Sequence, residues 1–326
     1  MGRTSKTLLF FVIALIVGAS GAVYWGNAQF NYSGPLPVKR TLIIPHGAGV
    51  NAIARDLERA GVLSNPLLFR IAVKLIGAGK PLQAGEYEFP AKSSMQAVLA
   101  LLRSGQTVAR RVTFAEGLST VEILSQLTRT EGLNGPLRVA PGEGTLLPET
   151  YYYSYGDKRL DIVRRMTAAM QTLLANLWKN RADGLPLKSP IEALILASIV
   201  EKETGLAKER PHIAAVFINR LNKGMRLQSD PTVVYGMTGG KHPLGRALLR
   251  ADLKKPSPFN TYMIKALPPK PISNPGAASL EAVLRPAQSQ DLYFVADGTG
   301  GHVFAKTLAA HNRNVAKWRK YKRANQ

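Results

Sequence analysis

The chain has 326 residues, of which 45% are apolar, so it is long and apolar enough to bury a core without disulfides. It contains no cysteine, which excludes thiol catalysis, iron–sulfur clusters and cysteine-ligated zinc. Lysine and arginine number 43 against 21 acidic residues, a formal charge of +22 that attracts anionic lipid, nucleic acid or acidic cell-wall polymers. Charge alone does not choose among these partners.

The N-terminal segment is strongly apolar. Residues 7–25 carry no charge, and as a helix rising about 1.5 Å per residue they would reach across the hydrocarbon core of a bilayer. Arg3 and Lys6 precede this stretch, and the next charged side chain is Lys39, so residues 1–6 are expected in the cytoplasm and the rest outside it. A cleaved signal peptide is the alternative. We favour an anchor, because the apolar run continues past the small residues that would form a cleavage site.

The next part of the chain reads as a linker and a small module. Residues 26–39 contain Asn, Ser, Gly and Pro without periodicity, which predicts a linker. Residues 40–106 are expected to form a βααβ module, with a strand at 40–44, helices from Val50 and Pro66, and a strand at 84–89. The second helix is expected to bury its apolar residues in varying degree: Leu67, Phe69, Ile71, Val73 and Leu75.

Helices dominate the second half. The sequence S-T-V-E from Ser119 to Glu122 is a capping box that opens a helix, and its strand–turn–helix pattern echoes the first module. Duplication and chance explain this echo equally well. Further helices are predicted at 160–179, at 191–204 and from Pro211, and short strands at 232–235 and 292–296. The predicted class is α+β, with irregular loops over a helical platform.

Two carboxylates end the most apolar of these helices. Glu201 and Glu203 follow a run built for burial, and positions two apart lie about 200° apart around a helix, so they cannot both face one substrate. A glycosidase that uses this pair is therefore disfavoured. Glu201 shares a face with Ala197 and Ser198, whose small size would leave room for a ligand, and apolar walls would favour the protonated form that a general acid needs. Alternatively, both are ordinary surface charges at a helix end.

Polar clusters lie further along the chain, at residues 225–236, 257–262 and 271–276. Their amide, hydroxyl and aromatic side chains suit sugars, although Asx and Ser/Thr turns explain them as well. H-E-x-x-H, G-x-S-x-G and Walker A patterns are absent, and the five histidines lack metal-ligand spacing. The sequence predicts neither a metal nor a cofactor.

These motifs resemble the endolytic murein transglycosylases of the MltG or YceG-like type. The resemblance runs from about residue 40 to His311, and its most specific parts are ASIVEKET at 197–204 and LQSDPTV at 227–233. Other matching segments are IPHG at 44–47, AGEYEF at 84–89, FAEGLS at 114–119, EGTLLPETY at 143–151, VFINRL at 216–221 and SPFNTY at 257–262. The chain departs from the family pattern at Ala266, Lys270 and Ala309-Ala310.

The resemblance implies an anchor at residues 7–25, a LysM-like glycan-binding module at 40–106 and a catalytic domain at 107–326. That domain would be periplasmic, on a single-pass protein of the bacterial inner membrane. The implied reaction cuts the MurNAc-GlcNAc bond inside glycan strands, leaves 1,6-anhydroMurNAc ends and limits strand length. The implied acid/base is the first Glu of EKET, Glu201. We expect these residues to hold the sugars: Glu203, Gln228, Ser229, Asp230, Thr232, Asn260, Tyr262 and Asn274.

Peptidoglycan strands, the anionic membrane and peptidoglycan synthases are the implied partners, and nucleic acid is not expected. Three other functions fit parts of the sequence. A non-catalytic, membrane-tethered protein would bind peptidoglycan through the module alone. A hydrolase would use Glu201 with Asp230. A nucleic-acid binder would use the charge and the basic residues 313–323, but a translocated domain does not meet DNA.

Overall fold

The computed structural model describes residues 3–76 and 80–324 and divides the chain into two compact units of mixed α/β structure. The first unit contains residues 1–110 and 152–157, and the second contains residues 111–151 and 158–326. The sequence prediction put a boundary after residue 106 and did not foresee the return of residues 152–157 to the first unit.

The first unit begins with a long helix, α1 (Arg3–Asn31). Its residues Thr7–Asn31 are long and apolar enough to cross a membrane, with a mean hydropathy of 2.2. The helix continues through residues 26–31, which were predicted to be linker, so that prediction was wrong for this part. Phe30, near the end of α1, packs against the core of the first unit.

The βααβ order of the first unit agrees with the sequence. It comprises β1 (Arg40–Ile44), α2 (Val50–Arg59), α3 (Pro66–Ile76) and β2 (Gly85–Phe89). The strands pair antiparallel, with Arg40 opposite Phe89 and Ile44 opposite Gly85. A further helix, α4 (Met95–Ser104), was not predicted. Its first turn is capped by Ser94 Oγ, which accepts from Ala97 N–H at 3.2 Å.

The burial of α3 differs from the prediction. Phe69 and Ala72 are buried, whereas Leu67, Ile71 and Leu75 are exposed. A helix presents one face to a core, and residues 69 and 72 lie on that face, one turn apart. The prediction took the apolar content of this segment as burial, and it was wrong for Leu67, Ile71 and Leu75.

The second unit is arranged around the buried helix α7. Its elements are β3 (Arg110–Thr113, which begins in the first unit), α5 (Thr120–Arg129), β4 (Thr150–Tyr153, which ends in the first unit), α6 (Arg159–Lys179), α7 (Pro190–Glu203), α8 (Arg210–Asn222), α9 (Asp230–Thr238), α10 (Ala277–Leu284), β5 (Tyr293–Ala296), β6 (His302–Ala305) and α11 (Leu308–Ala324). All of residues 193–200 in α7 are buried, and α6, α8, α9 and α10 pack against this helix or against each other.

Two predictions for the second unit need correction. Residues 232–235 were predicted as a strand but lie in α9, with Pro231 in its first turn, where a missing N–H costs nothing. Helix α10 falls in a region that was expected to be irregular. The strand predicted at residues 292–296 is present as β5, paired antiparallel with β6.

The face of α3 that meets the core can be tested with two truncations on one helix. We expect Phe69→Ala to lower the free energy of unfolding by about 3–5 kcal/mol, because it empties a buried site. Leu75→Ala should change it by less than about 0.5 kcal/mol, because Leu75 is exposed. Denaturant unfolding in detergent measures both. Equal losses would contradict the burial described here.

Candidate active site

The C-terminal turn of α7 carries the two predicted carboxylates into different surroundings. The helix begins at a cap, where Ser189 Oγ accepts from Glu192 N–H, and it stays buried until its last turn. Glu201 contacts the start of α8 and the loop before α10, whereas Glu203 contacts the start of α9. The predicted separation of the two side chains around the helix accounts for this difference.

Glu201 lies in a buried ion pair. Its Oε1 accepts from Arg210 Nη2 at 3.1 Å, and its Oε2 accepts from the backbone N–H of Gly276 at 2.9 Å. The same Arg210 nitrogen donates to Glu116 Oε2 at 2.9 Å. Only 4% of the Glu201 side chain is exposed, against 10% for Arg210. Both carboxylate oxygens of Glu201 therefore have protein donors.

The space that was predicted beside Glu201 is filled. Ser198 is fully buried, its hydroxyl donates to Ile195 O at 2.7 Å, and its Oγ accepts from the backbone N–H of Ile272 at 3.0 Å. The small residues one turn before Glu201 thus let the loop of residues 271–276 pack against α7. This packing does not favour the ligand that was expected above Glu201, which stays a prediction.

Glu203 has one occupied and one open oxygen. Its Oε1 accepts from Ser229 Oγ at 2.5 Å, and no donor among residues 3–76 and 80–324 is placed to bond its Oε2. Burial raises the pKa of Glu203 to about 7, and the negative charge of Asp230 acts in the same direction. The Ser229 hydrogen bond and the charges of His302 and Arg220 oppose this increase. A carboxyl with this pKa can both donate and accept a proton near neutral pH.

Two clefts lie near the end of α7, and Glu203 lines one of them. The first has a volume of about 460 Å³, and Glu203, Gln228, Asp230 and Tyr262 lie among its lining residues. The second, of about 450 Å³, is lined in part by Lys202 and also by Asp230. Asp230, at the beginning of α9, thus lines both clefts.

Five of the predicted sugar-binding residues, Glu203 among them, lie in or beside the first cleft. Tyr262 donates its hydroxyl to Asp230 Oδ1 at 2.6 Å, and burial together with this carboxylate raises the pKa of Tyr262. Gln228 is exposed and has a φ of 53°, a left-handed backbone that is uncommon outside glycine. Its N–H donates to Thr261 O at 3.2 Å. Ser229 is itself buried and reaches the cleft only through Glu203.

Three other predicted binding residues have structural contacts instead. Thr232 and Asn274 are fully buried and Asn260 is buried, and each already bonds protein groups. Thr232 Oγ1 donates to Ser229 O at 2.6 Å, and Asn260 Nδ2 donates to two backbone carbonyls of residues 253–255. Asn274 bonds residues 118, 120, 143 and 146. They brace the loops behind the cleft, so their burial and contacts do not favour the predicted sugar binding, which stays a prediction.

Arg220 was missed by the sequence analysis. It is buried and lines the first cleft, where its Nη1 donates to Leu227 O at 2.6 Å and its Nε to Leu292 O at 2.7 Å. Its guanidinium lies 5.3 Å from the ring centre of Tyr293. An arginine in a helix of mixed polar and apolar residues is usually exposed, so the sequence gave no signal that Arg220 is buried beside the cleft.

A model of the YceG-like family matches residues 42–317, most of the chain. The chain belongs to the YceG-like family. The family match covers α7 and the clefts at its end, together with the whole βααβ part of the first unit except its first two residues.

Three similar proteins extend this result. The endolytic murein transglycosylase of Bacillus subtilis is 32% identical over 93% of this chain and 91% of its own. That of Streptococcus pneumoniae serotype 2 is 29% identical over 94% of this chain, which spans 64% of its length. A 2.6 Å crystal structure of a YceG-like protein from Listeria monocytogenes matches with a TM-score of 0.50 and 30% identity, covering 85% of this chain and 99% of that one.

The raised pKa of Glu203 predicts a pH-dependent stability. The folded state binds the proton more tightly than the unfolded state, whose pKa is near 4.5, so this residue makes the protein less stable as the pH rises from about 4.5 to about 7. We expect Glu203→Gln to increase the free energy of unfolding near pH 8, by at most about 3 kcal/mol. The difference between the two proteins should shrink toward pH 4. Denaturant titrations at several pH values measure it, and a constant difference would contradict the assignment.

Proposed function

We propose that this protein is a membrane-anchored, endolytic murein transglycosylase of the lytic type, with Glu203 as its single acid/base. The observation that carries the proposal is the carboxyl of Glu203, which lines a cleft and accepts a hydrogen bond at only one of its two oxygens. Its pKa is raised to about 7. The names of the relatives from Bacillus and Streptococcus supply the substrate class, murein. The enzyme class follows, a carbon–oxygen lyase acting on a polysaccharide.

The acid/base is thereby moved from Glu201, the sequence prediction, to Glu203. A general acid needs a proton and a path to the leaving group. Glu201 accepts from Arg210 and from the Gly276 N–H with its two oxygens, so both oxygens are already engaged by protein donors. Glu203 bonds a hydroxyl with one oxygen and leaves the other open to the cleft.

One carboxyl is enough for the lytic reaction. Protonated Glu203 gives its proton to the 4-oxygen of the departing N-acetylglucosamine as the bond from that oxygen to C1 of N-acetylmuramic acid breaks. The 6-hydroxyl of the same muramic acid then bonds to C1, and its proton returns to the Glu203 carboxylate. The nucleophile is already part of the substrate, so proximity favours attack without an activated water. The product ends in a 1,6-anhydro ring.

Asp230 and Tyr262 complete the proposed site. Positive charge develops at C1 in the transition state, and an ionised Asp230 beside the cleft would stabilise it. Tyr262 donates its hydroxyl to Asp230, which orients the carboxylate. Gln228, exposed at the cleft, is placed to bond sugar hydroxyls or acetamido groups.

The two clefts support cleavage inside a strand. Asp230 lines both clefts, so the two clefts together offer room for sugars on both sides of Asp230. We propose that the strand passes through both clefts, and that the basic surface attracts the acidic stem peptides.

The proposed location follows from α1. One apolar helix of this length fits a single-pass anchor, and the positive charge before it favours a cytoplasmic N-terminus and a periplasmic catalytic domain at the inner membrane. The βααβ module would bind glycan in the manner of LysM domains. Peptidoglycan synthases are proposed partners, because they make the glycan strands that this enzyme would cut and release.

Two matched variants test the acid/base. We expect Glu203→Gln to reduce lytic activity by about 10²–10⁴-fold, because the amide cannot transfer a proton. Glu201→Gln should keep the chemistry and lose stability, because it leaves Arg210 with less charge to pair. Mass spectrometry of digested murein, counting 1,6-anhydro ends, measures activity, with circular dichroism as the control for folding.

The opposite order of the two variants would restore Glu201 as the acid/base. Binding of murein by the wild type without new anhydro ends would favour the non-catalytic peptidoglycan-binding protein. Incorporation of labelled water into the product would favour the hydrolase.

The same assay has a predictable pH dependence. Glu203 must be protonated to act as the acid, and burial raises its pKa to about 7. We therefore expect kcat/KM to fall as the pH rises above about 7. Asp230→Asn removes a negative charge that raises this pKa, so it should move the falling limb to lower pH. A limb near pH 4.5 in the wild type would contradict the raised pKa.

A further inference from the structure

Helix α3 exposes a stripe of large aliphatic side chains. Leu67, Ile71 and Leu75 are spaced by four residues, which places them along one side of the helix. Their exposed fractions are 59%, 45% and 76%, and the adjacent Ile76 is exposed as well. Contiguous apolar surface of this kind is uncommon on soluble proteins and marks an interaction site.

Basic side chains lie beside this stripe. Arg70 and Lys74 are exposed and also spaced by four, and the sequence of α3 contains no acidic residue. Both basic residues line a groove of about 420 Å³ together with Leu67, Ile71 and the start of α2. An apolar strip with a cationic edge fits the boundary between acyl chains and anionic headgroups.

The position of α3 in the first unit brings it to the end of the membrane-spanning segment. A Cβ added at Gly26 of α1 would lie 3.8 Å from Leu68 Cδ1, so the two helices touch at this point. Tyr24 and Trp25 come directly before it and are exposed, and such aromatic residues favour the membrane interface. At about 1.5 Å per residue, residues 7–25 of α1 match the thickness of the hydrocarbon layer. Gly26 comes directly after this span, so its contact with Leu68 places the beginning of α3 at the end of the span.

We propose that α3 is a second membrane contact of this protein. The stripe of Leu67, Ile71 and Leu75 inserts among the headgroups and upper acyl chains of the anionic bilayer that α1 spans, and Arg70 and Lys74 bind lipid phosphates. The first unit is thereby held on the membrane surface. This contact depends on α1 spanning the bilayer and is independent of the chemistry at Glu203.

A glycan strand is the competing occupant of the same groove. Sugar sites offer aromatic faces and amide or carboxylate groups to the hydroxyls of the ligand. The groove on α3 offers mainly aliphatic and basic side chains, with Asn51 as its amide. The chemistry of the lining therefore favours lipid.

The experiment uses the absence of cysteine from the chain. The variants Ile71→Cys and Glu58→Cys, both at exposed positions of the first unit, are labelled with the fluorophore NBD in the full-length protein. Each is reconstituted into vesicles of phosphatidylethanolamine and phosphatidylglycerol, with or without brominated lipid. We expect a blue-shifted emission and several-fold stronger quenching by brominated lipid at position 71 than at position 58. Circular dichroism confirms that both labelled proteins are folded.

Equal, water-like emission at the two positions would overturn the proposal. So would a label at position 71 that responds to soluble murein fragments in detergent but not to brominated lipid, since the groove would then hold glycan. Adding Arg70→Gln and Lys74→Gln to the position 71 variant should reduce its quenching in these anionic vesicles. In vesicles of phosphatidylcholine alone, the same pair of changes should have little effect. Unchanged quenching in the anionic vesicles would show that Arg70 and Lys74 do not bind lipid phosphates.

Discussion

A carboxyl group at the end of a buried helix must be paired with a donor or cation, or else it favours the neutral form. The last turn of α7 contains one fully paired carboxyl and one partly paired carboxyl. Glu201 accepts from Arg210 and from the backbone N–H of Gly276, and these bonds hold the loop before α10 against the helix. Glu203 receives one hydroxyl, and burial raises its pKa to about 7. The structural and the proposed chemical carboxylate differ only in their partners.

Local signals predicted most of the helices and strands, and they failed where two rules competed. Ser94 caps the N-terminus of α4, and Gly105 ends the helix in a left-handed conformation. Both are helix signals in the sequence, but they follow directly on an apolar strand and no helix was predicted there. Thr232–Tyr235 is rich in β-branched residues, and this outweighed Pro231, which is a helix start signal. In α3 the apolar content exceeds what the core can take, and the excess lies on the surface.

The sequence predicted which segments of the chain form the candidate site, but it did not predict the role of each residue. Helical geometry alone separated Glu201 from Glu203, and the segment around residues 227–233 does meet Glu203 in the fold. The donors that decide between the two carboxylates come from distant parts of the chain: Arg210 from the next helix, and Gly276 from a loop 75 residues further on. Spacing within one helix carries no information about such partners. For the same reason, polar residues such as Asn274 looked like ligand contacts although they brace the interior.

Three successive residues of α7 point into three different surroundings. Glu201 joins the interior ion pair, Lys202 donates to the Gly117 carbonyl and lines the second cleft, and Glu203 enters the first. One inserted or deleted residue would turn the end of the helix by about 100°. Each of the three side chains would then meet surroundings suited to its neighbour, and Arg210 would lose one of its two carboxylate partners. The angular phase of this helix is therefore fixed, while its individual apolar residues are free to exchange with others of similar volume.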